Sequence, residues 1–384
     1  MRTLKKLIAV GAVVASATAM AVGPALADPI NGSGNPVTPK EADVVGVGSD
    51  TLQFLLDQFS FDYNKSHKTG RRLYSWDALN PKTGLTDNIR EKAGCAITAR
   101  PNGSSAGVAA LAANTKTGDK KHFCVDYARS SRGRATGDPS KGPGGIVFVA
   151  LGKDAVTYAT NATTNAPANL TTTQLHNIYN CTVTNWSQVG GKSGHINAQL
   201  PQASSGTRAF FLKAIGLDVS GPGGCVGSTA EENEGINTVL KGANTIFPYS
   251  IGKFIAEKFH SAKCVNATCT GSPACHPTKT QNRFGCDTHG NMVLRSINGT
   301  KPTTGTGLKT VINAHFSAKF VRTVFIVVRW ASTANHIPKY LQHFFAPKST
   351  TAGVVSGWTC SNATAHQDLI NYGFLPTPFC GTGS

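Results

Sequence analysis

Past its N-terminal segment the chain has no apolar run long enough to cross a bilayer. The stretch Phe320–Val328 falls far short of the roughly 20 residues a spanning helix needs. That excludes a polytopic membrane carrier. Acidic residues are scarce, with 20 Asp and Glu against 37 Lys and Arg and a formal net charge of +17. The imbalance suits an anionic partner. Nucleic acid is not indicated, because the basic residues are scattered apart from Arg129, Arg132 and Arg134, and no aromatic-plus-basic repeat occurs. No long-period internal repeat is present either, which excludes a solenoid or an array.

What the N-terminus does have is a secretory signal. Arg2, Lys5 and Lys6 precede an apolar run from Leu7 to Val22, and Ala25-Leu26-Ala27 forms a small-x-small site before Asp28. Cleavage is expected after Ala27. No cysteine sits there, so a bacterial lipid anchor is not expected. The expected location is secreted or wall-associated, or periplasmic if the source has an outer membrane. The ten cysteines are Cys95, Cys124, Cys181, Cys225, Cys264, Cys269, Cys275, Cys286, Cys360 and Cys380. An even count in an exported chain reads as disulfides, with the pairing left open. The dense group from Cys264 to Cys286 has a zinc alternative aided by His276 or His289. Its spacing lacks the paired Cys-x-x-Cys form, and no metal or cofactor is expected.

Removing 27 residues from 384 leaves a length that normally divides into two lobes. Short strands and helices alternate along it, an α/β pattern. Expected strands are Asp43–Val47, Cys95–Ala99, Phe123–Ala128, Ile146–Leu151, Ala155–Tyr158 and Phe320–Trp330. Expected helices are Thr51–Asn64, a ten-residue segment after Ser104, a capped one from Leu170, Thr207–Ile215 and Glu232–Leu240. Residues 28–42 read as a flexible leader. Residues 261–290 read as a disulfide-stapled insertion.

Gly/Ser/Thr turns open three of the helices. They are Gly46-Val47-Gly48-Ser49-Asp50-Thr51, Gly103-Ser104-Ser105-Ala106-Gly107 and Ser204-Ser205-Gly206-Thr207-Arg208. A helix start leaves backbone N–H groups free and carries partial positive charge, so each turn can cradle an anion. Any one of them alone is an ordinary N-cap.

Taken in order with Val125–Ser131, Leu170–Trp186 and Glu232–Gly235, these turns resemble the phosphate-binding receptors of bacterial phosphate ABC transporters, of the type II periplasmic-binding-protein-like class. The resemblance implies an α/β fold of two lobes with mixed sheets and a hinge of two crossing segments. It places lobe one at 43–145 and 318–384 and lobe two at 146–317. It implies capture of inorganic phosphate or a related small oxyanion without chemistry, by a monomer, for delivery to an ABC permease. Ligand contacts then fall on Ser49, Asp50, Thr51, Ser104, Ser105, Ser131, Arg132, Ser205, Gly206, Thr207 and Arg208.

The chain departs from that family at several ligand places. Asp50-Thr51 stands where the family has Thr-Phe. Ser131 stands where the family has an Asp that accepts the proton of phosphate. Pro201 stands where the family has an Arg. Asp50 is therefore expected to replace the carboxylate, and Arg208, Arg129 or Arg132 the guanidinium.

Two other classes compete. Gly103–Gly107 satisfies the G-x-S-x-G elbow of serine hydrolases, with Ser105 as nucleophile and Asp287 and His315 in the right chain order. The basic surface also suits an adhesive protein held to anionic cell-wall polymers.

Overall fold

The computed structural model describes residues 28, 29, 31, 33, 37–80, 84–260 and 289–384. The signal segment, Cys264, Cys269, Cys275, Cys286, His276 and Asp287 lie outside the described residues, and with them most of the expected insertion and zinc alternative.

One mixed sheet runs through the molecule. Its strands are β1 (Val44–Gly48), β2 (Leu73–Ser75), β3 (Tyr127–Ser130), β4 (Ile146–Asn161), β5 (Asn197–Pro201), β6 (Gly227–Ala230), β7 (Thr245–Ser250), β8 (Met292–Leu294) and β9 (Val321–Arg329). Their spatial order is β2-β1-β3-β9-β4-β7-β5-β6, with β8 also on β4. The pairs β1–β2, β1–β3, β7–β5 and β5–β6 are parallel. Those made by β9, and by β4 with β7 and β8, are antiparallel.

β4 joins the two ends of this sheet. Its 16 residues form one continuous strand where the sequence suggests two runs. At about 3.3 Å per residue it reaches some 50 Å. Residues 146–155 pair with β9, and residues 156–161 pair with β7 and β8. β4 and β9 are thus the two crossing segments of a two-lobed architecture. Their register shifts once, between Val324 and Phe325 opposite Gly152 and Ala150.

Strand alternation distributes the apolar residues onto opposite sheet faces. Val44 packs with Leu55, Leu56 and Phe59 of helix α1 (Gln53–Ser66), and with Leu341 and Phe344 further along the chain. Val45 and Val47 point the other way, against Val108 and Leu111 of α2 (Ser104–Ala112). A separate core gathers Leu175, Ile178 and Tyr179 of α3 (Thr172–Tyr179) with Trp186 and with Phe211 and Leu212 of α4 (Gly206–Ile215). As its sequence suggests, α3 opens on a capping box. The Thr171 hydroxyl accepts from the Gln174 N–H, and the Gln174 side chain accepts from the Thr171 N–H.

Disulfides join Cys95 to Cys124, Cys181 to Cys225 and Cys360 to Cys380. Within the expected leader, Asp28 is buried and ion-paired with Arg100, and Val37 packs on the core behind β1.

Three expectations need correction. Strand structure in the Cys95–Ala99 run is confined to Thr98–Ala99, because Cys95 is drawn to Cys124. The strand expected at Phe123–Ala128 starts at Tyr127. Glu232–Leu240 is not a helix; only Thr238–Leu240 forms a tight 3-10 turn. Asn233 sits at a positive φ of 60°, its carbonyl accepts from the Tyr249 hydroxyl, and its Oδ1 accepts from the Ser250 N–H at 3.2 Å. Those tertiary bonds fix a left-handed residue that a helix interior cannot hold.

Phe211 is fully buried and packs edge-on to Tyr179 with centroids 5.1 Å apart. Phe211→Ala should therefore lower unfolding free energy by roughly 3–5 kcal/mol. Denaturant titration measures this, and a loss under ~1 kcal/mol would refute the packing described.

Candidate functional site

The three Gly/Ser/Thr turns converge. β1 ends at Gly48 and delivers Ser49, whose N–H bonds to the Arg129 carbonyl at 3.1 Å. Next to it β3 ends and delivers Ser131. The Ser49 hydroxyl donates to Ser131 Oγ at 3.1 Å, and Ser104 Oγ lies 3.2 Å from the same atom. The Ser131 N–H donates to Ser104 Oγ at 3.0 Å. From the far side, Ser205 caps α4 by accepting the Arg208 N–H at 3.0 Å. The backbone of Gly206 then lies against the Ser104 and Ser131 hydroxyls so closely that a Cβ there would collide with both. Gly103 (φ +95°) faces the Ser204 carbonyl in the same way.

At the centre of this cluster lies a carboxylate. Glu232 Oε1 accepts from the Thr51 hydroxyl at 2.6 Å, from the Thr207 N–H at 3.1 Å and from the Ser131 hydroxyl at 3.4 Å. One donor is the first turn of a helix, and the others belong to turns on the opposite side. Glu232 is 1% exposed, and its Oε2 is buried with no hydrogen-bond partner among the described residues. Thr51 Oγ1 and Thr207 Oγ1 approach to 3.4 Å beside it.

A guanidinium completes the site. Arg322 of β9 donates from Nε and Nη2 to Asp154 Oδ2 of β4, at 3.0 and 2.7 Å, and from Nη2 to Thr207 Oγ1 at 2.9 Å. Its Nη1 is buried and has no partner among the described residues. Asp154 is fully buried and also accepts from the Ser250 hydroxyl and the Gly252 N–H. A guanidinium that bonds Thr207 is thus set in the crossing strands, a position that sequence reasoning missed. The available signal was a buried-strand Asp beside Lys153 and an Arg near the start of the run at 320–330.

The arginines singled out from sequence are engaged elsewhere. Arg132 makes a two-pronged pair with Asp138 at 2.7 and 3.0 Å and donates to Ser105 Oγ at 3.0 Å. Arg208 donates to the Pro201 carbonyl at 3.1 Å, and its Nε is buried without a partner among the described residues. Arg129 is spent on the carbonyls of Gly48 and Ser49 and on the Ser75 hydroxyl. Asp50 accepts from the Asn233 amide at 2.9 Å, which tethers the first turn to the Glu232 loop. As for a hydrolase, no histidine bonds to Ser105 among the described residues, and His315 is exposed.

Behind the first turn lie the buried Asp28 and Asp77 and the half-buried Asp57. Burial raises Asp28 to about 7, helped by Asp77 and opposed by Arg100. Burial likewise raises Asp57 to about 6, against the lowering effect of a hydrogen bond from Asp77 and the charge of Arg129. Burial, then the charge of Asp57, hold Asp77 well above the ordinary carboxylate range.

The geometry can be set beside known proteins. The PBP superfamily domain matches residues 80–278, just over half of the chain. The chain belongs to the PBP superfamily. Two solved structures share its fold. One is an ABC-type phosphate transport receptor from Vibrio cholerae, 17% identical with a TM-score of 0.52, covering 87% of this chain and 100% of its own. The other is a putative phosphate ABC transporter substrate-binding protein with bound phosphate from Clostridium perfringens, 12% identical with a TM-score of 0.51, covering 87% and 99%. No relative is found among curated proteins. Among the described residues of this PBP-superfamily chain, no helix is long and apolar enough to cross a membrane.

Carboxyls raised on folding bind protons more tightly in the native state. Their contribution to stability is full below the unfolded value near 3.8 and drains away as pH climbs towards 6 and 7. Asp57→Asn should flatten the fall of melting temperature between pH 4 and 7. An unchanged slope in a thermal scan series would count against this carboxyl cluster.

Proposed function

We propose that this protein is an extracytoplasmic solute receptor that captures inorganic phosphate, or a closely related small oxyanion, between two lobes. The observation that carries the reading is the convergence of Thr51, Ser131 and the Thr207 N–H on one anionic oxygen. Donors from two sides meeting on one charged atom are what closing around an oxyanion requires. The two fold relatives are by their titles phosphate receptors, which supports the same ligand class.

In this reading, lobe one comprises 43–145 and 318–384, and lobe two comprises 146–317. Ser49, Asp50, Thr51, Ser104, Ser105 and Ser131 serve the ligand from the first lobe, with Arg132 beside them. Ser205, Gly206 and Thr207 serve it from the second, with Arg208 beside them on the first turn of α4. Arg322 supplies the cationic charge from the hinge. Asp50 is the carboxylate that meets the proton of hydrogen phosphate, a proton that sulfate lacks near neutral pH. The protein works as a secreted monomer cleaved after Ala27, hands its ligand to an ABC permease, and uses its basic surface to remain near anionic wall polymers.

Calorimetric titration tests the function. Phosphate should bind, and sulfate at least about tenfold more weakly. Gly206→Ala should weaken phosphate by a similar factor, since its methyl group meets the Ser104 and Ser131 hydroxyls. Equal binding of both anions, or of neither, rejects the reading.

A further inference from the structure

The cradle is complete and already holds an anion, and that anion is part of the chain. The main-chain donor at the start of α4 and the Thr51 hydroxyl are both directed to Glu232 Oε1. These are donors that an incoming oxyanion needs. We infer that Glu232 is a tethered stand-in for the ligand, which closes the two lobes in the absence of solute and must be displaced when a free oxyanion enters. This inference rests on the proposed oxyanion site and adds its regulation.

The segment carrying Glu232 is built for that task. The Glu232 N–H donates to Gln202 Oε1 at 2.9 Å, which fixes its loop to the end of β5. Its neighbours cross to the other side: Glu231 Oε2 accepts from the Asn102 amide at 3.0 Å, and the Asn233 amide donates to Asp50 at 2.9 Å. Asn102 Oδ1 in turn accepts from the Gln202 amide at 2.9 Å. Three consecutive residues therefore staple the turns together, with the carboxylate at the middle.

A carboxylate is nevertheless an imperfect tenant. Only one of its oxygens is satisfied, while Glu232 Oε2 and Arg322 Nη1 stay buried without partners among the described residues. A buried polar atom left unmatched is costly, and more so when it is charged. A tetrahedral oxyanion presents more acceptors than a carboxylate and can engage the unmet Arg322 donor. Displacement is then favourable for the right solute, while a tethered competitor at high effective concentration rejects weak ones.

The test uses the full mature chain, with Glu232→Ala and Glu232→Asp. The second retains the charge but withdraws it by one methylene, and guards against a fold defect in the first. Small-angle scattering in phosphate-free buffer should show a compact wild type and expanded variants, and inorganic phosphate should compact the variants again. Titration should show phosphate binding at least about tenfold tighter to Glu232→Ala than to wild type. The inference is overturned if both variants are as compact as wild type without anion, or if Glu232→Ala binds phosphate more weakly. If the variants expand and phosphate neither binds nor compacts them, the stand-in role holds and the phosphate reading falls. If they stay compact and bind phosphate, the reverse is true.

Discussion

A charged oxygen can stay buried only where donors surround it, and in this protein the donors around Glu232 Oε1 come from segments far apart in the chain. That requirement organises the rest. It sets the ends of β1 and β3 beside the start of α4, and it demands glycine at position 206, where the Ser204–Arg208 turn abuts the Ser104 and Ser131 hydroxyls. It also explains why Asn233 leaves helical geometry: the loop must bend to bring Glu232 inward.

The same logic governs the hinge. Arg322 and Asp154 are paired across β9 and β4, fully enclosed by protein. Removing one partner of such a pair typically costs about 3–5 kcal/mol, because the other is left charged and dry. The crossing strands thus do more than connect. They carry Arg322, whose guanidinium reaches the cradle through Thr207, and they hold it on the strands that run between the two ends of the sheet.

The fold was legible in the sequence wherever its causes are local. Gly103-Ser104 and Ser205-Gly206 announce helix starts through their own backbone preferences, and Leu170–Leu175 announces a capped helix. The apolar runs at 146–151, 155–158 and 320–330 announce the crossing strands. Glu232 and Arg322 were not legible as site residues. Glu232 meets Thr51 across 181 positions and Arg322 meets Thr207 across 115. Nothing near either residue encodes those meetings. The arginines that looked promising adjoin the turns in sequence, yet Arg132 finds Asp138 six residues away and Arg129 is drawn to carbonyls. Adjacency to a motif was a poor guide to where a long side chain points.

The single slip in register between β9 and β4 has a mechanical consequence. A continuous antiparallel ladder is stiff along its strands, and it yields where a residue is left out of the pairing. Here Leu151 is the residue skipped, opposite the Val324–Phe325 junction, with Gly152 as its neighbour. The strand bends and its twist increases at that rung. Arg322 lies only two residues beyond it, so that bend sets the angle from which the guanidinium reaches Thr207.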